Sequence, residues 1–247
     1  MTTDQEKATA PMFPFCLRAK TISDAWFQLI YNIFDHSYVQ KVQKGSFENE
    51  EHRLQYPGLS VFIEYPGEDM IPVIPPALGI PPPTTMEYIE DYFVNYLMDP
   101  ALAPNETYRY SSRIMHPMPK GGTQLDRVVR MLKETPLTNQ AIVEIGSPED
   151  HDVCIGNDGK LDPPCLRLID FKAIPGHNGL LLSLSVYFRS WDLWAGFPTN
   201  LGGLELLKRY VASETALATG PTYAYSAGAH LYGYQEEIAR IRTLRSK

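Results

Sequence analysis

One stretch, from residue 166 to residue 188, constrains the fold more than any other part of the chain, because strong alternation follows a turn within it. Strand-like residues 166–171 are followed by a turn and by a second strand that ends in Phe188. In this second strand apolar residues alternate with polar residues or tyrosine: Leu182, Leu184, Val186 and Phe188 against Ser183, Ser185 and Tyr187. Turn residues lie between the strands at Gly176, His177, Asn178 and Gly179. The pattern predicts an antiparallel hairpin with one buried face.

Helical periodicity dominates much of the remaining chain. Helices are predicted at residues 22–36, 84–98, 123–134, 200–215 and 234–244, the first of them capped by Thr21 or Ser23. Helices separated by antiparallel hairpins predict an α+β fold, with a mixed, largely antiparallel sheet covered by helices. We expect a single domain over residues 1–247. Within it, charged residues 41–55 predict an exposed loop, and seven prolines between Pro66 and Pro83 predict an insertion on the surface.

Composition excludes several functional classes. A net charge of −7 and a pI near 5.4 argue against a nucleic-acid partner. No run of 18 apolar residues is present, so no membrane span is predicted, and an acidic start without an apolar core predicts a cytoplasmic protein. The three cysteines include no CxxC pair, which argues against a disulfide framework and against a structural zinc site.

Glu90 interrupts the apolar stripe of the second predicted helix. On a 3.6-residue period it shares that stripe with Met86, Phe93, Val94 and Leu97. A carboxylate on an apolar face lies at an interface, bonds to a neighbouring backbone group, or sits in a cleft where its pKa is raised. Periodicity leaves these alternatives open.

Cys165 is the candidate nucleophile of the chain, because it stands at the mouth of the hairpin and Arg189 returns beside it. A free thiol has a pKa of about 8.5, and an adjacent guanidinium favours the thiolate by roughly a unit or more. A buried structural cysteine and an arginine in a surface salt bridge are the alternatives.

Four ordered motifs show a family resemblance: Pro163-Pro164-Cys165, Tyr187-Phe188-Arg189-Ser190-Trp191-Asp192, Gly196-Phe197-Pro198-Thr199-Asn200 and His230-Leu231-Tyr232. In order and approximate spacing they resemble the thymidylate synthases, with an overall look similar to the archaeal-type branch and to pyrimidine nucleotide hydroxymethylases. The resemblance is strong from residue 123 to residue 232. It implies a thymidylate synthase-like fold and a homodimer that packs sheet against sheet.

The resemblance also implies a chemistry, one-carbon transfer to C5 of a pyrimidine nucleotide. The Cys165 thiolate would add to C6 and make C5 nucleophilic. The one-carbon donor would be 5,10-methylenetetrahydrofolate or a methylene-tetrahydropterin analogue, with no metal. Conversion of dUMP to dTMP is the leading expectation. A 5-hydroxymethylase acting on dUMP, dCMP or CMP is the alternative, and a nucleotide-binding protein without catalysis is a third possibility.

Roles of further residues come from the same resemblance. Arg189 and Ser190 would hold the substrate phosphate, and Asp192 would lie near the base. The Asn200 amide complements uracil O4 and N3–H, although before a helix it could simply be a cap. His230 and Tyr232 would hold the sugar hydroxyl. In less specific stretches, Glu90 would relay protons and Tyr110 would lie near C5, with Glu87 and Tyr108 as competing choices.

Departures from the family pattern concentrate at the phosphate. Asn139 and Gln140 stand where the family has an arginine pair that reaches across the dimer. Phosphate would then be held by fewer charges or by others, such as Arg113 or Lys41. These changes leave the nucleotide and its phosphate state open, and they leave the Cys165 and Arg189 pair intact.

Overall fold

The computed structural model describes residues 13–42, 52–102, 106, 108–154 and 163–246. Strands in chain order are β1 (Phe15–Ala19), β2 (Tyr38–Lys41), β3 (His52–Gln55), β4 (Leu59–Ile63), β5 (Ile142–Glu144), β6 (Leu166–Gly176), β7 (Gly179–Phe188), β8 (Trp191–Asp192), β9 (Ala218–Ser226) and β10 (Ala229–Tyr232). Helices are α1 (Ile22–His36), α2 (Met86–Tyr92), α3 (Tyr110–Ile114), α4 (Gln124–Glu134), α5 (Asp150–Cys154), α6 (Gly196–Thr215) and α7 (Glu236–Thr243).

The strands of the described residues form two sheets. One has six strands in the order β1-β4-β9-β7-β6-β5, and the other has four in the order β2-β3-β10-β8. In the larger sheet β1 pairs with β4 and β7 with β9 in parallel, while the other three pairings are antiparallel. The predicted mixed, largely antiparallel sheet is therefore confirmed.

The predicted hairpin is β6 and β7, which pair from Leu166 opposite Phe188 to Gly176 opposite Gly179. The inward-facing residues of β7 are buried as the alternation predicts, and α6 packs over β7 and β9. α1 is confirmed with its predicted bounds and its cap, since the Thr21 hydroxyl accepts the Asp24 N–H. α4 is confirmed with Thr123 as its cap.

α6 begins four residues earlier than predicted. The segment Gly196–Thr199 lies outside the predicted helix, but it forms the first turn of the observed one. Pro198 fits there because the first N–H groups of a helix have no intrahelical partner. The cap comes from Asp192, whose carboxylate accepts the backbone N–H groups of Trp194, Ala195 and Gly196. Asn200 is therefore an interior residue of α6 and not a cap.

Two other segments differ from the sequence prediction. The expected loop at residues 41–55 is wrong at both ends, because Lys41 ends β2 and residues 52–55 form β3, while residues 43–51 lie outside the described residues. Between Pro66 and Pro83 the chain holds one short 3-10 turn, Pro76–Leu78. Met70, Ile74 and Ile80 of this segment pack against the core.

Candidate active site

Cys165 and Arg189 lie opposite each other at the open end of the hairpin. Cys165 comes just before β6, and Arg189 comes just after β7. The Arg189 N–H donates to the Cys165 carbonyl at 2.8 Å. The Arg189 guanidinium donates to the carbonyls of Pro163 at 2.6 Å and Pro164 at 3.2 Å, so it wraps the segment that carries the cysteine. Tyr110 fixes the other side, because its hydroxyl accepts the Leu166 N–H at 3.2 Å. Three of the sequence-predicted residues thus meet at one place.

Four tyrosines lie close enough to Cys165 for a charge there to affect their pKa values. The pKa of Tyr96 and that of Tyr232 are raised to about 12, and the pKa values of Tyr92 and Tyr110 are raised well above their ordinary value. Burial is the main cause at each of the four, and negative charge at Cys165 adds to it. All four phenols therefore keep their protons at neutral pH. They are neutral donors that can stabilise a developing anion without adding a competing charge.

Asn200 is held by two aromatic side chains. Its Oδ1 accepts the Trp191 indole N–H at 3.1 Å, and its Nδ2 donates to the Tyr92 hydroxyl at 3.0 Å. The indole of Trp191 is stacked on Phe188, with ring centroids 4.1 Å apart, and contacts Phe197 at 4.7 Å. The Asn200 amide is therefore hydrogen-bonded to an indole that its ring stack holds in place.

Two glycines of α6 let Tyr92 reach this position. A Cβ on Gly203 would lie 2.5 Å from Cδ1 of Tyr92, and one on Gly202 would lie 2.7 Å from Cδ1 of Ile89. Real Cβ atoms do not approach that closely, so any larger residue would push α2 away from α6. The Gly202-Gly203 pair thereby sets the distance between Tyr92 and Asn200.

The smaller sheet presents a polar face beside these groups. Residues that stand opposite each other on paired strands share a face, and the register places Asp192 opposite His230, Gln55 opposite His230, and Arg53 opposite Tyr232. His230 is 1% exposed, and its Nδ1 contacts the Gly228 carbonyl at 2.8 Å. A carbonyl only accepts, so Nδ1 carries the proton and Nε2 is left as an acceptor. Nε2 is buried and has no hydrogen-bond partner within the described chain.

Burial makes His230 a source of pH-dependent stability, because it lowers the pKa of the imidazole to about 4. The unfolded chain, with a pKa of about 6.5, binds this proton first as the pH falls, so the free energy of unfolding decreases between roughly pH 6.5 and pH 4. We expect urea unfolding to show a loss of about 2 kcal/mol between pH 7 and pH 4.5 that His230→Gln removes. An equal pH dependence in the two proteins would contradict this.

The structure corrects the predicted apolar stripe of this helix, and the proton-relay role of Glu90 stays a prediction. Glu90 is exposed and so is the competing Glu87, whereas the inward side of this segment carries Ile89 and the rings of Tyr92 and Tyr96. The predicted stripe was rotated, since Val94, one of its members, is 53% exposed. The chain also widens into a π-helix at Phe93–Met98, which a single 3.6-residue period does not describe.

Four further residues named in the sequence analysis lie stacked on Tyr110, exposed in a loop, or paired within the chain. Tyr108 stacks on Tyr110 with ring centroids 6.2 Å apart, and the choice between the two as the tyrosine near C5 stays a prediction. Asn139 and Gln140 are exposed in the loop after α4. Arg113 donates to the carboxylate of Asp150, which is 4% exposed, so this guanidinium is already paired within the chain.

Sequence reasoning missed three residues of the site: Tyr92, Trp191 and Arg53. Trp191 lies inside a quoted motif, but nothing in the motif shows that its indole faces Asn200. Arg53 reads as a solvated loop residue, yet it lies on β3 with its Nε buried and unpartnered within the described chain. Strand pairing between β3 and β10, which are far apart in sequence, is the signal that brings it to Tyr232.

Comparison with solved structures identifies the fold. Thermostable thymidylate synthase A from Bacillus subtilis superposes with a TM-score of 0.64, covering 92% of this chain and 86% of that one at 15% sequence identity. The fold is that of a thymidylate synthase. Among the described residues no group of three or more His, Cys, Asp or Glu side chains could hold a metal ion. No described helix is long and apolar enough to cross a bilayer.

Sequence comparison gives the family. The family model for thymidylate synthase matches residues 99–247. A protein of Methanosarcina barkeri named "Putative thymidylate synthase" is 30% identical over 223 residues, which are 90% of this chain and 91% of the relative. Thymidylate synthase of varicella-zoster virus is 31% identical over 127 residues, 51% of this chain and 39% of the viral protein. The chain belongs to the thymidylate synthase family and is a one-carbon transferase, as its motifs predict. The family uses a folate cofactor in general.

Proposed function

We propose that this enzyme converts dUMP to dTMP through a covalent bond between Cys165 Sγ and C6 of the base. The observation that carries the proposal is the pairing of Cys165 with Arg189, whose guanidinium folds over the segment before the cysteine. A cation held against the two residues before a thiol favours the thiolate, which is the nucleophile that C6 requires.

The other side chains fit the steps that follow. As sulfur adds to C6, electron density moves through C5 to O4, and the remaining N–H of Asn200 donates to that oxygen. C5 then forms a bond to the one-carbon unit and loses its proton to water, which the hydroxyl oxygen of the neutral Tyr110 would orient. The transferred carbon would be released from its donor nitrogen as the C5 proton leaves, and would then take up a hydride while the Cys165 thiolate is expelled. The C5–C6 double bond is thereby restored and the nucleophile regenerated.

A cavity of about 180 Å³ lies against the same tyrosines and fits a folate or pterin ring. Its lining residues are Tyr88, Asp91, Tyr92, Asn95, Tyr96 and Arg109. Tyr92 and Tyr96 are stacked at 5.2 Å and offer flat aromatic faces, while carboxylate, amide and guanidinium groups suit the polar edge of a pterin. When bound, 5,10-methylenetetrahydrofolate or a methylene-pterin supplies the one-carbon unit and hydride. Asp91 and Tyr88 would orient it.

The nucleotide sugar and phosphate would lie along the polar face of the smaller sheet. The free Nε2 of His230 accepts a sugar hydroxyl, and Tyr232 adds a donor beside it. Arg189 and Ser190 would hold the phosphate, and we add Arg53 as a further cation, since it lies opposite Tyr232 on the same face. Arg53 would offset part of the charge lost at Asn139 and Gln140.

We propose that the enzyme is a homodimer formed through the second face of its larger sheet. Tyr225 is 42% exposed on this face, and Tyr187 and Tyr223 beside it are half-buried. α6 covers the opposite face of the same strands. A half-exposed row of tyrosines on the centre of a sheet suits a second copy of that sheet.

Tritium release tests the proposal. With methylenetetrahydrofolate and [5-³H]dUMP, we expect the enzyme to release tritium to water and to form one product with the mass of dTMP. A product with the mass of 5-hydroxymethyl-dUMP would contradict conversion to dTMP and support the hydroxymethylase alternative. Nucleotide binding without any tritium release would contradict catalysis at C5.

A further inference from the structure

Trp191 is held so that its indole N–H has one possible target. The side chain is 2% exposed, lies parallel to Phe188 with an 8° angle between the rings, and contacts Phe197 on another side. It cannot turn without breaking this stack. The N–H therefore points permanently at Oδ1 of Asn200, 3.1 Å away.

An indole nitrogen only donates, and this settles which way the Asn200 amide faces. Oδ1 must lie toward Trp191, because the amide NH₂ in that place would set two donors against each other. Nδ2 must then lie toward Tyr92, at 3.0 Å. Oδ1 thus already accepts one hydrogen bond, and Nδ2 already donates one. One lone pair on Oδ1 and one hydrogen on Nδ2 remain for a ligand.

The bases differ in what they present to such a pair. Uracil offers a donor at N3–H and an acceptor at O4, which match a free lone pair and a free N–H. Cytosine offers an acceptor at N3 and a donor at its amino group, which match the amide only after it is turned over. Turning it would break the bond from Trp191 and leave its indole N–H facing another donor. We propose that Trp191 is a specificity-determining residue, which fixes Asn200 to read uracil and reject cytosine.

Tyr92 has a different part, because a hydroxyl both donates and accepts. It accepts from Asn200 in the observed orientation and could donate to the amide in the reversed one. Tyr92 therefore supports the amide without choosing its direction. This separates the two neighbours: loss of the indole N–H should alter the preference between bases, whereas loss of the phenol should weaken both bases alike.

The test measures the affinities of dUMP and dCMP without cofactor by calorimetry, and their C5 tritium release with methylenetetrahydrofolate. The inference rests on the proposed function in taking a pyrimidine nucleotide as substrate and Asn200 as the residue that bonds to its base. We expect the wild type to prefer dUMP and Trp191→Phe, which keeps the ring stack, to lower that preference about 10-fold or more. Tyr92→Phe should lower both affinities and change the ratio less than about threefold.

Trp26→Phe is the matched control, since its indole N–H donates to the Trp194 carbonyl and does not contact Asn200. It should leave the preference unchanged. An unchanged preference in Trp191→Phe, an equal shift in Tyr92→Phe, or a wild type that prefers dCMP would each overturn the inference. A wild type that binds dUMP selectively but releases no tritium would overturn the proposed catalysis and leave the role of Trp191 standing.

Discussion

Replacing Cys165 by serine is expected to lower the rate of tritium release from C5 of dUMP about 10⁴-fold or more. The alcohol is far less acidic than the thiol, and Arg189 cannot hold it as an anion at neutral pH. Nucleotide binding should remain, because Asn200, His230 and the phosphate contacts do not depend on the sulfur. Single-turnover tritium release and calorimetric binding of dUMP would measure the two effects separately.

Cys16→Ser is the matched control for this substitution. Cys16 is an exposed free cysteine on β1, and its loss should leave turnover unchanged. Alkylation gives a second measurement on the wild type, since dUMP should protect Cys165 from iodoacetamide and leave Cys16 reactive. Full turnover by Cys165→Ser would contradict the covalent mechanism.

The elements predicted correctly from sequence are those whose structure is determined by one local pattern of residues. In α1, Thr21 precedes an unbroken stripe of Trp26, Leu29, Ile30 and Ile33, and both the cap and the stripe are observed. The hairpin of β6 and β7 likewise combines alternation with its turn. Neither element needs information from a distant segment, because capping and amphipathicity are local properties.

The site depended on contacts between segments that are remote in sequence. Motif order predicted which residues to consider, and the structure brings Cys165, Arg189 and Tyr110 together. Motif order could not predict the position of Tyr92, because Asn200, to which Tyr92 is hydrogen-bonded, lies 108 residues further along the chain. The predicted apolar stripe of α2 was wrong for a related reason, since Ile89 and Tyr92 of this helix pack against Gly202 and Gly203 of the remote α6.

Lys208 shows the same limit in the core. A lysine three residues after a glutamate on a helix reads as a solvated surface pair. Instead Lys208 is fully buried and Glu205 is 2% exposed, with 2.7 Å between Nζ and Oε2. Burial lowers the pKa of Lys208, and the charge on Glu205 opposes that effect. Nothing local shows that β9 would supply the Gly220 carbonyl and the Thr222 hydroxyl, which Nζ also contacts.

Lys208→Met is expected to lower the free energy of unfolding by about 3–5 kcal/mol, the largest stability loss that we predict for a single substitution. Methionine fills a similar volume, but it leaves the Glu205 carboxylate buried without its lysine, and the Arg209 guanidinium contacts that carboxylate from the surface at 3.3 Å. The Gly220 carbonyl also loses its donor. Urea unfolding followed by circular dichroism measures the change.

A second variant separates the buried charge from the lost packing. Adding Glu205→Gln to Lys208→Met removes the unpaired charge, so the double variant should regain about half of the loss or more. Lys133→Met is the exposed control: Lys133 and Glu214 are both about half exposed and 3.5 Å apart, and breaking such a pair costs less than about 1 kcal/mol. If Lys208→Met cost no more than Lys133→Met, the buried pair would not be what anchors α6 to β9.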